Sequence, residues 1–152
     1  SNTIKSTQKV NFLYMIPAYK EDGVIVETAK NVVSQSDFGA EDEVVVIADQ
    51  LKKETIQKLE ELQVTVVEVF FDKSTKAKAI NRAMKALGLW RKKHDAVVLL
   101  DADNHLVEGF ITKTKNAYLS GNKIIQTHRI AKNLDTPMAK LDAISEEINN
   151  SI

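Results

Sequence analysis

Residues 96–104 read Ala-Val-Val-Leu-Leu-Asp-Ala-Asp-Asn, an apolar run that ends in two carboxylates. The run is too short for a helix, and its adjacent valines favour a β-strand. Because it does not alternate with polar residues, both faces of this strand are expected to be buried, as they are in a parallel sheet covered by helices. The stretch therefore predicts a strand of a parallel sheet in an α/β fold, with polar groups at its carboxyl end.

Further apolar runs lie on both sides of this stretch. The predicted strands are Val10–Ile16, Val44–Ala48, Val64–Phe71, Ala96–Leu100 and Lys123–Ile130, of which the last alternates with polar residues as an exposed or edge strand does. Between the strands, apolar residues recur at helical spacing, and Gly88 and Gly121 are placed to end two of the helices. Strands alternating with helices predict a mostly parallel sheet, because parallel strands need crossover connections.

The composition is that of an ordinary globular chain. Its 152 residues fit one core, and 21 acidic residues balance 21 scattered basic ones, so we expect no nucleic acid as a partner. The chain has no cysteine, which excludes disulfides and is compatible with the cytoplasm. No apolar run reaches the roughly 20 residues of a membrane span, so we expect no membrane segment in this chain.

The two ends of the chain suggest a piece of a longer protein. The first residues are Ser1-Asn2 rather than Met, as after removal of a tag, and Ile152 lies within a helical pattern. We expect residues 1–8 to be a tag remnant or disordered lead and residues 9–152 to form one incomplete domain. The parent protein could then lie at the cytoplasmic face of a membrane, with its membrane segment outside this chain.

Polar residues follow each of the four main predicted strands. Parallel sheets bind ligands at the carboxyl ends of their strands, which makes these positions candidates for a site. They are the segment Pro17–Glu21, then Asp49, then Asp72 with Ser74 and Lys76, and finally Asp101 with Asp103. Their clustering is the main indication of function that the residues give by themselves.

The chemistry of these side chains suits a phosphate ligand and a hard cation. Asp101 and Asp103 offer oxygen ligands of the kind that Mg²⁺ or Mn²⁺ prefers, although a solvated acidic loop is the alternative. Lys76 could meet phosphate at a helix start, or it could simply face solvent, as we expect of Lys78. Tyr19 could stack on a base. Asp49 could bind a base or ribose, or equally cap a helix.

Taken together, four segments resemble glycosyltransferase family 2. They are Ile16–Glu21, Val46–Asp49, Lys76–Asn81 followed by Ala83, and Leu99–Asn104, and the likeness extends from about Val10 onward. The resemblance implies the GT-A fold, a Rossmann-like, mostly parallel sheet with helices on both faces. It also implies a nucleoside diphosphate sugar, usually of UDP, as the donor and Mn²⁺ or Mg²⁺ as the cofactor.

The resemblance also implies roles for individual residues. Asp103 would bind the metal that bridges the diphosphate, and Asp101 would contact the ribose or the metal. The nucleotide would be bound by Pro17, Ala18, Tyr19, Glu21, Asp49 and Lys76. The first segment has Lys20 where Asn is commoner, at a position whose role is mainly structural.

In similar enzymes, a second half of the domain supplies the Asp that deprotonates the acceptor. Nothing after Asp103 matches it, so we expect this base beyond Ile152 and a fragment inactive alone. Residues 126–133 and the helix Met138–Ile148 resemble the stretch before that half in processive, membrane-linked members. The implied reaction is inverting transfer of a hexose to a saccharide or lipid-linked acceptor, as in polysaccharide biosynthesis.

Three other classes of protein share an alternating sheet. Nucleotidyltransferases and dinucleotide-binding domains need a Gly-rich loop after the first strand, which this sequence lacks. A receiver-like signalling domain, which binds Mg²⁺ without catalysing transfer, is the remaining alternative. Such a domain would have an acidic pair at its first strand, where this chain has Pro17-Ala18-Tyr19.

Overall fold

The computed structural model describes residues 10–88 and 93–121. Within them, strands and helices alternate as predicted. The elements are β1 Phe12–Tyr19, α1 Ile25–Val33, β2 Glu43–Asp49, α2 Lys53–Glu61, β3 Thr65–Val69, α3 Lys76–Ala86, β4 Ala96–Leu99 and α4 Phe110–Leu119. The predicted strand Lys123–Ile130, the helix Met138–Ile148 and the stretch between them lie outside the described residues. None of the described helices has the length and hydropathy of a membrane span.

All pairings between these strands are parallel, in the order β3-β2-β1-β4. The chain winds from β1 outward to β3 and then crosses to the other side of β1 to form β4. This is the Rossmann-like order, in which the direction of winding reverses between β1 and β4. The fold class expected from the sequence is thereby confirmed, and the crevice at this reversal is the usual place for a ligand.

The same strand order excludes the receiver-like alternative. Receiver-like domains have the flavodoxin-like order, in which the first strand lies between the second and the third. Here β1 lies between β2 and β4, with Met15 in register with Val45 on one side and Leu99 on the other. The receiver-like interpretation was therefore wrong.

The strand β1 forms the centre of the core. Phe12, Leu13, Tyr14, Met15 and Ile16 are all fully buried, so both faces of the strand are covered. Helices supply the covering apolar residues, among them Ile25, Ala29 and Val32 from α1, Leu59 from α2, Ile80 and Ala83 from α3, and Phe110 and Ile111 from α4. For β1, burial of both faces confirms what the uninterrupted apolar run predicted, whereas the first two residues of β4, Ala96 and Val97, are only half-buried.

The strand β3 is shorter and more exposed than its sequence predicts. It covers Thr65–Val69, its first three residues are only half-buried, and Phe70 just beyond it is 67% exposed. The reason is its position at the outer edge of the described sheet, where only β2 pairs with it. An apolar run alone does not distinguish an edge strand from a central one.

The strand β1 is longer than predicted, since it continues through Pro17 to Tyr19. The Met15 carbonyl oxygen accepts a hydrogen bond from Leu100 N–H at 2.9 Å. Pro17 lies two residues further on, so its nitrogen faces the same side of the strand, where pairing with β4 has already ended. The proline therefore costs no ladder hydrogen bond, and it lies where the two strands separate to open the crevice.

Candidate functional site

The carboxyl ends of the strands enclose a cleft of about 450 Å³. Its lining comes from the ends of β1, β2 and β4 and from the start of α3. The lining residues are Pro17, Ala18, Tyr19, Glu21, Asp49, Ser74, Thr75, Lys76, Ala79, Asp101, Ala102 and Asp103. Every residue proposed from the sequence for nucleotide or metal binding thus lies in one cavity. Thr75 and Ala79 carried no signal of their own, because neither a small hydroxyl nor an alanine at a helix start is distinctive.

The exit from β1 presents an aromatic ring at the rim of the cleft. Tyr19 is 48% exposed, and the next residue, Lys20, has a left-handed backbone with φ 52°. Lys20 N–H donates to the Asp49 carbonyl oxygen at 2.9 Å, which fixes this turn against β2. Asn adopts the left-handed region more readily than most residues, which fits the Asn that the resemblance implies at this position. Lys20 makes the turn with its backbone, and its Nζ lies 5.3 Å from the centre of the Tyr19 ring.

Asp49 is 2% exposed and lies in register with Tyr19 at the end of β2. Its carboxylate lines the cleft and accepts from Gln50 Nε2 at 3.5 Å. The alternative role, a helix cap, is wrong, because the first turn of α2 is capped by a residue from another loop. This residue is Asp22, whose Oδ2 accepts from Lys52 N–H at 2.8 Å and from the Thr55 hydroxyl at 2.7 Å.

The cap also affects the titration of Asp22. The hydrogen bond from Thr55 and then that from the Lys52 N–H favour the charged carboxylate, so the pKa of Asp22 is lower than its ordinary value. Asp22 lies between β1 and α1, so all of α1 and β2 separate it in sequence from α2, the helix that it stabilises. Its role was not evident from the sequence.

The start of α3 brings a cation into the cleft. Lys76 is the first residue of the helix, and its Nζ donates a hydrogen bond to Asp101 Oδ1. Thr75 caps the helix, since its hydroxyl oxygen accepts from Lys78 N–H at 3.1 Å. Lys78 Nζ instead donates to the Lys73 carbonyl oxygen at 2.7 Å, and Lys78 is not among the lining residues. Lys76 thus lines the cleft, whereas Lys78 does not.

The loop after β4 holds both carboxylates at the cleft. Asn104 N–H donates to the Asp101 carbonyl oxygen at 3.0 Å, and Asn104 Oδ1 accepts from Asp101 N–H at 3.1 Å, which closes a tight turn. Ala102 is 7% exposed and anchors the turn, whereas Asp103 is exposed. The two carboxylates therefore belong to a turn that is closed by hydrogen bonds.

The donor set at this turn fits a hard divalent cation. Across residues 10–88 and 93–121, no group of three or more His, Asp or Glu side chains could hold a metal. Among the described residues, Asp101 and Asp103 therefore offer two carboxylate ligands, and further oxygen ligands, such as water or a ligand's phosphate oxygens, would complete the shell. This is the usual way in which Mg²⁺ binds with phosphates. His94 does not line the cleft, and its Nε2 lies 3.3 Å from Glu43 Oε1 at the start of β2.

The sequence matches the model of a family described as glycosyltransferase like family 2 over residues 10–149. A comparison with curated protein sequences returns no match.

Among solved structures, the chain is similar to glucosyl-3-phosphoglycerate synthase of Mycobacterium tuberculosis, with a TM-score of 0.60 and 19% identity over 82% of this chain and 46% of that one. The same enzyme in complex with Mn²⁺, UDP and glucosyl-3-phosphoglycerate has a TM-score of 0.58 and 20% identity over 81% and 44%. A mannosyltransferase from Pyrobaculum calidifontis, in complex with GDP-Man and Mn²⁺, has a TM-score of 0.60 and 17% identity over 90% and 43%. The chain thus spans less than half the length of these structures.

Proposed function

The chain belongs to glycosyltransferase-like family 2, and on this premise we propose that its cleft binds the UDP-sugar donor of a glycosyl transfer together with Mn²⁺ or Mg²⁺. The observation that carries the proposal is the convergence of an exposed aromatic ring, a lysine at a helix start and two carboxylates in one cavity. Its volume of about 450 Å³ lies within the range of small-molecule sites.

The nucleoside is assigned to the β1 and β2 side of the cleft. Tyr19 is exposed at the rim and could stack on the base, and Pro17 and Ala18 form the apolar wall beneath it. Asp49 can accept hydrogen bonds from the base or the ribose but can donate none as a carboxylate. Uracil, which has an N–H between two carbonyl groups, offers a suitable donor to such a side chain.

The diphosphate is assigned to the side formed by α3 and the turn after β4. Lys76 combines a cation with the N–H groups at the start of α3, an arrangement that favours phosphate. Asp101 and Asp103 would hold the cation, with Asp103 more accessible than Asp101. The solved relatives with Mn²⁺ or Mg²⁺ and a nucleotide support this choice of cofactor.

In the transfer reaction, these residues would act on the leaving group. When bound, the divalent cation supplies positive charge that stabilises the departing nucleoside diphosphate. Lys76 would add a second positive charge on the same side, already oriented by its helix. No covalent intermediate with the protein is needed for this step. We further propose that the transfer is inverting and that the acceptor is a saccharide or a lipid-linked molecule. The catalytic base would then lie outside the described residues.

Calorimetry tests the binding proposal directly. UDP is titrated into the protein with Mn²⁺ and again with the metal chelated, and UMP and GDP serve as comparison ligands. We expect UDP to bind with Mn²⁺ and more weakly without it, and UMP to show little metal dependence because it lacks the β-phosphate. Absence of UDP binding at millimolar concentration, with the circular dichroism of a folded protein, would contradict the proposal. Tighter binding of GDP than of UDP would overturn the choice of UDP but not the binding of a nucleotide with metal.

A further inference from the structure

Polar side chains of the α1 segment contact the loop that carries the two carboxylates. Thr28 lies on α1 and is 5% exposed, and its hydroxyl contacts the Ala102 carbonyl oxygen at 2.5 Å. The same hydroxyl lies 3.0 Å from the Val24 carbonyl oxygen of its own helix. Since Ala102 separates Asp101 from Asp103, this contact holds the peptide between the two proposed metal ligands.

A second contact holds the far end of the same loop. Asn31 is three residues after Thr28 and so faces the same side of α1. Its Oδ1 accepts from Leu106 N–H at 2.7 Å, and its Nδ2 donates to the Leu106 carbonyl oxygen at 3.2 Å. Gln35, beyond the end of the helix, donates from Nε2 to the same carbonyl oxygen at 3.2 Å. The Asn31 side-chain amide thus pairs with both the N–H and the carbonyl group of Leu106.

These contacts matter because no regular structure shapes the loop. Between the end of β4 at Leu99 and the start of α4 at Phe110 there is no helix or strand. The turn from Asp101 to Asn104 closes on itself, but its orientation relative to the sheet must come from elsewhere. Thr28 and Asn31 supply it from a helix. The Thr28 contact is buried, which strengthens it, and the Asn31 contacts are half-buried.

We propose that Thr28 and Asn31 are positioning residues, which fix the loop of Asp101 and Asp103 so that both carboxylates are aligned for a divalent cation before it binds. The inference rests on the proposed function, because it assumes that these carboxylates bind the metal. Residues that orient metal ligands typically change metal affinity by 10- to 100-fold when they are replaced. Neither Thr28 nor Asn31 needs to touch the metal or the nucleotide to have this effect.

Two variants remove the contacts, and two others serve as controls. Thr28→Val removes the hydroxyl but keeps the shape of the side chain, and Asn31→Ala removes the paired amide. Thr28→Ser restores a hydroxyl. Ser34→Ala removes a similar bond to the helix's own backbone, from the Ser34 hydroxyl to the Lys30 carbonyl oxygen at 2.6 Å, which does not involve the loop. Thermal unfolding identifies any variant that is not folded.

We would measure the Mn²⁺ affinity of each folded variant in the presence of UDP. Electron paramagnetic resonance reports the concentration of free Mn²⁺ in each titration. We expect Thr28→Val and Asn31→Ala to weaken Mn²⁺ binding by about tenfold or more, and Thr28→Ser and Ser34→Ala to stay close to the wild type. Wild-type affinity in both Thr28→Val and Asn31→Ala would overturn the inference while leaving the proposed function intact. If the wild type itself binds no Mn²⁺ with UDP, the proposed function and this inference fail together.

Discussion

Lys76 Nζ donates a hydrogen bond to Asp101 Oδ1, and this ion pair joins the first residue of α3 to the turn after β4. The lysine side chain is 50% exposed and the aspartate side chain 19%, so the pair lies at the open side of the cleft. Lys76 is proposed to bind the phosphates and Asp101 the metal ion that accompanies them. In this structure the two residues are in direct contact with each other.

Replacing Lys76 by Met should weaken the binding of UDP in the absence of metal. The change removes the cation but keeps most of the aliphatic side chain, so the cost is that of one hydrogen bond to a charged group. Because Lys76 is half-exposed, we expect about 1.5 kcal/mol, which is roughly tenfold in the dissociation constant. Calorimetry with chelated metal measures the effect. Lys78→Met on the same helix is the matched control, and an equal loss there would contradict the role of Lys76.

Replacing Asp103 by Asn should abolish the metal dependence of nucleotide binding. An amide oxygen carries no charge and is a weaker ligand for a hard cation than a carboxylate. We expect the affinity for UDP with Mn²⁺ to fall to the metal-free value of the wild type, as measured by calorimetry. Asp72→Asn changes an exposed aspartate outside the cleft lining and should leave the metal dependence as it is. Metal dependence that persists in Asp103→Asn would exclude Asp103 as a ligand.

The ring of Tyr19 should contribute to affinity through its face and not through its hydroxyl. Stacking of a base on an aromatic side chain is worth about 1 kcal/mol or more, so Tyr19→Ala should weaken UDP binding by roughly fivefold or more. Tyr19→Phe keeps the ring and should bind like the wild type. If both variants lose affinity equally, the hydroxyl and not the ring makes the contact.

The cap that Asp22 provides for α2 should make stability depend on pH. The pKa of Asp22 is lowered in the folded protein, so its contribution is fully present above the ordinary Asp pKa of 3.8 and is lost as the pH falls through the lowered value. We expect Asp22→Ala to be less stable than the wild type at neutral pH by about 0.5–1 kcal/mol, the lower part of the range for helix caps. Urea unfolding at several pH values measures this difference, which should shrink in acid. A difference that stays constant down to about pH 2 would contradict the charged cap.

A buried ion pair at the other end of the sheet should be important for stability. Lys115 Nζ lies 2.6 Å from Asp42 Oδ2, and their side chains are 4% and 0% exposed. Lys115→Met leaves a buried carboxylate without its cation, which should cost about 3–5 kcal/mol of unfolding free energy. The midpoint of urea unfolding reports the change. Lys113→Met, an exposed position on the same helix, should shift it by no more than about 0.5 kcal/mol, and equal effects of the two variants would show that the pair is not stabilising.

Tyr14 illustrates a feature that the sequence could not indicate. Its position in an apolar run predicted burial, and the side chain is indeed fully buried. Only the structure shows that its neighbours include Asp42 and Asp37. Burial and then these two carboxylates raise the pKa of its hydroxyl well above the ordinary value. The neighbours come from the segment after α1, and local sequence does not specify them.

Much of the candidate site was predictable because it depends on strand ends. An apolar run followed by a polar residue marks the end of a buried strand in the sequence itself, and parallel strands bring these ends to one edge of the sheet. Asp49, Lys76, Asp101 and Asp103 were identified in this way, and all of them line the cleft. The role of Asp49 was left open between ligand binding and capping, since both need the same carboxylate at the same place in the chain.

By itself, the sequence determined the order of strands and helices and the residues at the strand ends, because both follow from hydrophobic patterns within a few residues. Tertiary structure decided which aspartate caps which helix. The N-cap residues of α2 and α4 are Lys52 and Gly109, and neither provides a capping side chain. Asp22 accepts a backbone N–H bond at the start of α2, and Asp37 accepts one at the start of α4. It also decided that Thr28 holds the loop of the two carboxylates from 74 residues away. Such partners are selected by proximity after folding, and local sequence preferences carry no information about them.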